Sequence, residues 1–216
     1  MRLGIGVTTY NRPEVSQLCI SQIEKHTENY QLFVTNDLFD RKGIAWRKNE
    51  CLRALKDCDY IVLFDEDCFP IKKGWDWHLV YCSAATKEQH FLYLKETSHI
   101  KKIKEDYLVS YYNNCGGCMM FITKEVIEKV GGFNKDYGLY GFEHAGYSIR
   151  INKCGLTSMR YPSPKNIGEY IYSLDYDNYI DWGLDHKPSL TLKELKEAEG
   201  NVEVFKKDIE IIYQEL

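Results

Sequence analysis

The run Asp59-Tyr60-Ile61-Val62-Leu63-Phe64-Asp65-Glu66-Asp67 places the tightest constraint on how this chain folds. Four apolar residues, two of them β-branched, lead straight into three consecutive carboxylates. A short unbroken apolar run of this kind reads as a strand buried on both faces, as in parallel sheets. Ligands of open α/β sheets collect beyond the carboxyl ends of such strands, which is where Asp65 and Asp67 fall. Residues two apart on extended backbone point the same way, so these two carboxylates are spaced to share a hard divalent cation through oxygen. An Asp-x-Asp also occurs as a solvated acidic turn, and these residues alone leave both readings open.

The remaining composition narrows the class. A chain of 216 residues, 44% hydrophobic and 28% charged, is long enough for one domain with a full core. The net charge is −4 with dispersed Lys and Arg, which argues against general nucleic-acid binding. No apolar run reaches the roughly 20 residues of a membrane span. The first strand begins at residue 3, leaving no room for a signal peptide, and the expected location is cytoplasmic. Eight cysteines, mostly within apolar segments, fit a reducing compartment. Cys115-Gly116-Gly117-Cys118 has redox-pair or half-zinc spacing, but no second pair or His follows at a suitable distance. It reads as two reduced cysteines around a Gly-Gly turn.

In chain order, Leu3 to Thr9 reads as a strand, Pro13 opens a helix with Val15, Leu18, Cys19 and Ile23 on one stripe, and Gln31 to Thr35 is a second strand. This strand-helix-strand opening predicts parallel pairing through a right-handed crossover. Gly43 to Leu55 predicts a helix with Ala45, Leu52 and Leu55 toward the sheet and Arg47, Lys48 and Arg53 on other faces. Pro70 is expected to end the strand ladder, Gly74 to Ala85 to be helical, and Phe91 to Leu94, Leu108 to Tyr112 and Cys118 to Ile122 to be strands. Thr123 is expected to cap a short helix ended by Gly131, and Glu143 to start another ended by Gly155. Tyr161 to Pro188 is irregular and aromatic, the mark of a functional or mobile loop. Thr191 to Glu194 reads as a capping box that opens a last helix, with Val202, Phe205, Ile209 and Ile212 as its apolar stripe.

Four segments together resemble the GT-A glycosyltransferases, in particular family-2-like enzymes with a galactosyltransferase-type C-terminal motif. Val7-Thr8-Thr9-Tyr10-Asn11-Arg12 is similar to the opening strand and turn that hold the nucleotide. Gly43-x-Ala45-x-Arg47-x-Asn49 is similar to a Gly-x-Ala-x-Arg-Asn helix, with Lys48 inserted before the Asn. Asp65-Glu66-Asp67 falls where that family keeps its Asp-x-Asp. Gly131-Gly132-Phe133 followed by Tyr140-Gly141-Phe142-Glu143-His144 resembles Gly-Gly-Phe … Trp-Gly-x-Glu-Asp, with His144 standing where the pattern has Asp.

The resemblance implies an α/β, GT-A mixed sheet flanked by helices in one domain over residues 1–216. Residues 1–112 would be its nucleotide-sugar half, 113–188 its acceptor half and loop, and 189–216 its C-terminal helices. It implies a metal-dependent, inverting transfer of sugar from a nucleotide-diphospho-sugar, UDP-linked, to a glycan or other hydroxyl-bearing acceptor. Donor contacts would come from Thr8, Thr9, Tyr10, Asn11, Arg12, Asp37, Arg47, Asp65, Glu66 and Lys187. Mn²⁺ or Mg²⁺ would be held by Asp65, Asp67 and His186. Glu143 would be the acceptor-side base, and His144 either the base itself or an acceptor contact. Two alternatives stay open: a nucleotide- or sugar-binding protein without turnover, and a nucleotidyltransferase. The latter calls for a glycine-rich loop after the first strand, which Thr8 to Arg12 lacks.

Overall fold

The computed structural model describes residues 1–177, 179–184 and 191–216. Its centre is a five-stranded sheet in the order β2-β1-β3-β8-β5, made of β1 (Leu3–Thr9), β2 (Tyr30–Asn36), β3 (Tyr60–Asp65), β5 (His90–Leu92) and β8 (Met119–Thr123). The first strand lies parallel to both β2 and β3, whereas β8 runs antiparallel to β3 and β5. The sheet is therefore mixed, as expected.

Period-two alternation divides β3 between two cores. Val62 and Phe64 join the layer of α1 (Pro13–His26) and α3 (Trp75–Thr86). Ile61 and Leu63 join the layer of α2 (Ile44–Leu55), α4 (Lys124–Val130) and α5 (Glu143–Lys153). On the α2 face β1 presents Gly4 and Gly6. A Cβ at Gly6 would stand 2.6 Å from Cys51 Cβ, so the missing side chain is what lets the helix sit this close to the sheet.

Smaller elements shape one end of this body. Cys68–Pro70 (β4) pairs antiparallel with Ile171–Ser173 (β10), so Pro70 closes a two-stranded ladder. Lys102–Glu105 (β6), Val109–Tyr112 (β7) and Pro162–Pro164 (β9) form a three-stranded sheet. Strand β6 was not expected, because all four of its residues are exposed and carry no apolar alternation. The aromatic stretch packs Tyr170, Tyr172, Tyr176, Tyr179 and Trp182 against the α1/α3 core.

Several local expectations need correction. Thr123 precedes α4 without a side-chain cap; its hydroxyl donates to Gln89 instead. The C-terminal segment forms a helix, α6 (Leu192–Asp208), that stops before Ile209. Its expected stripe does not hold, since Val202 and Ile212 are exposed while Phe205 and Ile209 pack inward. What anchors α6 is charge: fully buried Arg150 of α5 faces buried Asp208 at 3.2 Å and donates to the carbonyls of Val130 and Gly132. The last residues return to the Gly131 turn, where Gly132 N donates to Gln214 O.

Strand β5 is tied to α5 by His90, which is fully buried. Its Nδ1 donates to Phe121 O and its Nε2 accepts from Ser148 Oγ, each at 2.9 Å. Burial pushes the imidazole down from its ordinary 6.5 to about 4. The unfolded chain thus binds a proton below pH 6.5 that the folded chain refuses until about pH 4. This contribution is whole above pH 6.5 and is lost as pH falls toward 4, by up to about 3 kcal/mol. Urea unfolding at about pH 7 and about pH 4.5 should show a smaller acid loss in His90→Gln than in the parent. An equal loss would mean that other groups drive it.

Candidate functional site

The C-terminal ends of β1 and β3 open into a cleft of about 820 Å³. One wall is the β1–α1 turn with Asp37 and Arg41. The floor is the segment from Asn114 to Cys118, and the other wall runs from Leu139 to Ala145 at the start of α5. Every expected site residue that the structure describes lines this cleft, except Asn11. Asn11 has a left-handed φ of 50° in the turn and is exposed. His186 and Lys187 lie outside the described residues.

The three strand-end carboxylates are each bound within the protein. Asp65 Oδ1 accepts from Thr8 Oγ1 at 2.8 Å and lies 2.8 Å from Lys48 Nζ. Glu66 is buried, accepting from Arg12 Nε at 2.9 Å and from Ser16 Oγ. Burial pushes its carboxyl up, while Ser16 and Arg12 pull the other way. Asp67, also buried, takes Arg12 Nη2 at 2.9 Å. Burial alone would lower the Arg12 guanidinium, but Asp67 and then Glu66 outweigh it and hold it above its ordinary value. Its remaining arm donates at 3.0 Å to Tyr179 OH, which in turn donates to Asp175 at 2.6 Å. The aromatic stretch thus reaches the site through the Tyr179 hydroxyl, and Tyr176 lines the cleft.

Asp37 caps the loop that leads into α2, accepting from the backbone N–H groups of Lys42 and Gly43 and from Arg47 Nε at 2.9 Å. Arg47 also engages Asp40 and Glu50, so its guanidinium is surrounded by three carboxylates. Tyr10 lies beneath the Arg41 guanidinium at 4.0 Å.

Across the cleft, Glu143 and His144 open α5. Glu143 is 2% exposed, with Oε2 accepting from Gly141 N at 2.8 Å and Oε1 2.7 Å from His144 Nδ1. Burial would raise its pKa, but the charge and hydrogen bond of His144 and then its own backbone N–H more than offset that, leaving the carboxyl below its ordinary value. His144 Nε2 points at Lys48 Nζ, 2.5 Å away.

Lys48 corrects the sequence reading. It is fully buried, and it shares the inward face of Ala45, Leu52 and Leu55 instead of lying on another. Positions 45, 48, 52 and 55 form one helical stripe, so the spacing that places Ala45, Leu52 and Leu55 inward places Lys48 there too. Its charge hid that signal, because a Lys is rarely buried unless paired. Arg41, Asn114 and Asp175 also line the cleft without having been expected there. They sit in loops, where no periodicity marks a residue.

Among the described residues no three His, Cys, Asp or Glu side chains cluster as a ready ligand set. The oxygen donors at the strand end are the carboxylates of Asp65 and Asp67, the chemistry of a hard divalent ion, with Asp67 Oδ2 held by Arg12. Among the described residues no helix is long and apolar enough to cross a membrane.

Comparison with known proteins places this geometry. Residues 98–173 match the family described as "N-terminal domain of galactosyltransferase". The chain is 25% identical over 196 residues to an uncharacterized glycosyltransferase, R363, of Acanthamoeba polyphaga mimivirus, a match covering 71% of this chain and 74% of that protein. In fold it is similar to the mannosyltransferase PcManGT of Pyrobaculum calidifontis, solved with GDP-Man and Mn²⁺, with a TM-score of 0.55, 13% identity and coverage of 96% of this chain and 72% of that one. It is likewise similar to residues 1–349 of S. aureus TarS, with a TM-score of 0.59, 9% identity and coverage of 97% and 81%. The mixed sheet, the cleft at its strand ends and these likenesses lead to one conclusion: the chain is a glycosyltransferase of the GT-A fold.

Proposed function

We propose that this enzyme moves a sugar from a nucleotide-diphospho-sugar to an acceptor hydroxyl by a single inverting displacement. The observation that carries this reading is the pairing of two unlike polar groups across one cleft: strand-end carboxylates on one side and a Glu143–His144 dyad on the other. In it, residues 1–112 hold the donor, with the nucleoside along Thr8, Thr9, Tyr10 and Asp37 and the diphosphate near Asp65. Residues from 113 onward supply the acceptor side. Eight free thiols support a cytoplasmic setting.

The donor chemistry of Asp65 and Asp67 fits Mn²⁺ or Mg²⁺, and Asp65 is the carboxylate whose side chain is partly open to the cleft. When bound, such an ion supplies Lewis-acid neutralisation of the departing diphosphate. The mannosyltransferase similar in fold holds Mn²⁺ with GDP-Man, which supports testing both UDP and GDP here. Arg12 keeps Asp67 and Glu66 in place behind that position.

The chain's own residues handle the proton. Glu143 is buried and both its oxygens are occupied, so it orients; His144 is the group that meets the acceptor. Glu143 fixes the tautomer with hydrogen on Nδ1 and leaves the Nε2 lone pair as proton acceptor, the division of labour of a carboxylate–imidazole pair. The acceptor oxygen bonds to the anomeric carbon as its proton passes to Nε2. The bond from that carbon to the diphosphate oxygen breaks, and the diphosphate leaves with the electron pair.

Two outcomes test this reading. UDP or GDP at a hundredfold its Kd should stabilise the fold by about 2.7 kcal/mol with Mn²⁺, and far less in EDTA; equal thermal shifts would remove the metal from the mechanism. His144→Gln and Glu143→Gln should each leave nucleotide affinity near the parent's while kcat falls by about 10² to 10⁴. Full transfer by His144→Gln would take the proton-acceptor role away from the imidazole. Nucleotide binding with no transfer from any donor would favour a binding protein.

A further inference from the structure

Lys48 is a buried cation that neither the resemblance nor the proposed reaction uses, and it sits on the atom that the reaction needs. Its ammonium has three donors and three acceptors around it: Gly117 O at 3.1 Å, Asp65 Oδ1 at 2.8 Å and His144 Nε2 at 2.5 Å. An imidazole carrying its hydrogen on Nδ1 has a single lone pair, at Nε2. With Glu143 at Nδ1 and Lys48 at Nε2, that lone pair is taken.

The ring is packed on two sides, which favours movement of the lysine over movement of the imidazole. A Cβ on Gly117 would overlap the His144 ring, so the floor backbone is pressed against the imidazole. Phe133 closes another side, edge-on at 6.2 Å between centroids. The lysine, in contrast, ends a flexible four-carbon stem. A hydroxyl therefore reaches Nε2 only if the ammonium lets go.

We propose that Lys48 is a positioning residue that occupies the proton-accepting nitrogen of His144 until a nucleotide diphosphate arrives beside Asp65 and draws the ammonium away. Asp65 already holds one of its three hydrogen bonds, so the diphosphate enters next to it and offers a more highly charged acceptor. Release of Nε2 then makes acceptor deprotonation conditional on the donor. The inference rests on the nucleotide-sugar reading above and adds the residue that couples its two halves.

The test reads the imidazole nitrogens of the full chain labelled with ¹⁵N-histidine, with the His144 signals assigned by their loss in His144→Gln. In the parent, Nδ1 should be protonated and Nε2 should show an accepted hydrogen bond. Lys48→Met should move the Nε2 signal toward that of a free lone pair. Saturating UDP or GDP with Mg²⁺, which is diamagnetic, should move the parent's signal in the same direction and leave that of Lys48→Met in place. An Nε2 signal unmoved by bound nucleotide, with binding verified by thermal shift, overturns the proposal. So does one unmoved by Lys48→Met. If neither nucleotide binds, the donor-site reading falls, and this inference with it. The nucleotide arm uses the unaltered chain, so it decides even if Lys48→Met does not fold.

Discussion

Three adjacent carboxylates at the end of a buried strand cannot be left uncompensated, and the way they are neutralised organises the site. Asp67 and Glu66 are almost wholly buried, and Arg12 spans both. Isolated charges in such surroundings cost several kcal/mol each unless paired and hydrogen-bonded. Pairing them requires the β1–α1 turn to carry Arg12 inward, and the same guanidinium then ties down Tyr179 from the far end of the chain. Asp65, more open, takes its cation from α2 instead. Two separate cations thus divide the acidic strand end, all of which lines the cleft, into a more buried part and a more open one.

The second wall is held with comparable economy of elements. Arg150 joins α5, the Gly131–Gly132 turn and α6, fixing the helix whose first turn bears Glu143 and His144. His90 ties the same helix to the sheet edge. Between the walls, the Gly116–Gly117 floor is narrow because Tyr176 and His144 press on it. The Cys-Gly-Gly-Cys segment is accordingly a packing device: Cys118 is buried and free, and the glycines admit two side chains to the cleft.

Lys48 stands where these arrangements meet. It contacts the Asp65 carboxylate on one wall, the Gly117 carbonyl of the floor and the His144 imidazole on the other wall with one ammonium. A hydrophobic residue at this position of the α2 stripe would pack as Ala45 and Leu52 do, but would leave the two walls chemically unconnected. The buried charge makes sense as a link between them more than as a source of stability, since desolvation takes back much of what such pairs gain.

Much of the frame was legible in the sequence. The two-faced apolar run of β3, the strand-helix-strand opening and the carboxylate-led start of α5 are local patterns, governed by periodicity and by the polarity of adjacent residues. They located Asp65, Asp67, Glu143 and His144 at element ends, which is where a cleft could form. Strand β6 escaped because an exposed edge needs no apolar alternation, and the Lys48 side chain because its charge masked a helical position. Which cation neutralises which carboxylate was decided only by the tertiary structure. Arg12 and Asp67 are 55 residues apart, Lys48 and His144 are 96 apart, and no local preference specifies such pairs. Sequence determines that buried charges near one another must be matched; the packing of α2 and α5 on one sheet determines the partners, because burial makes the mismatched arrangements too costly to persist.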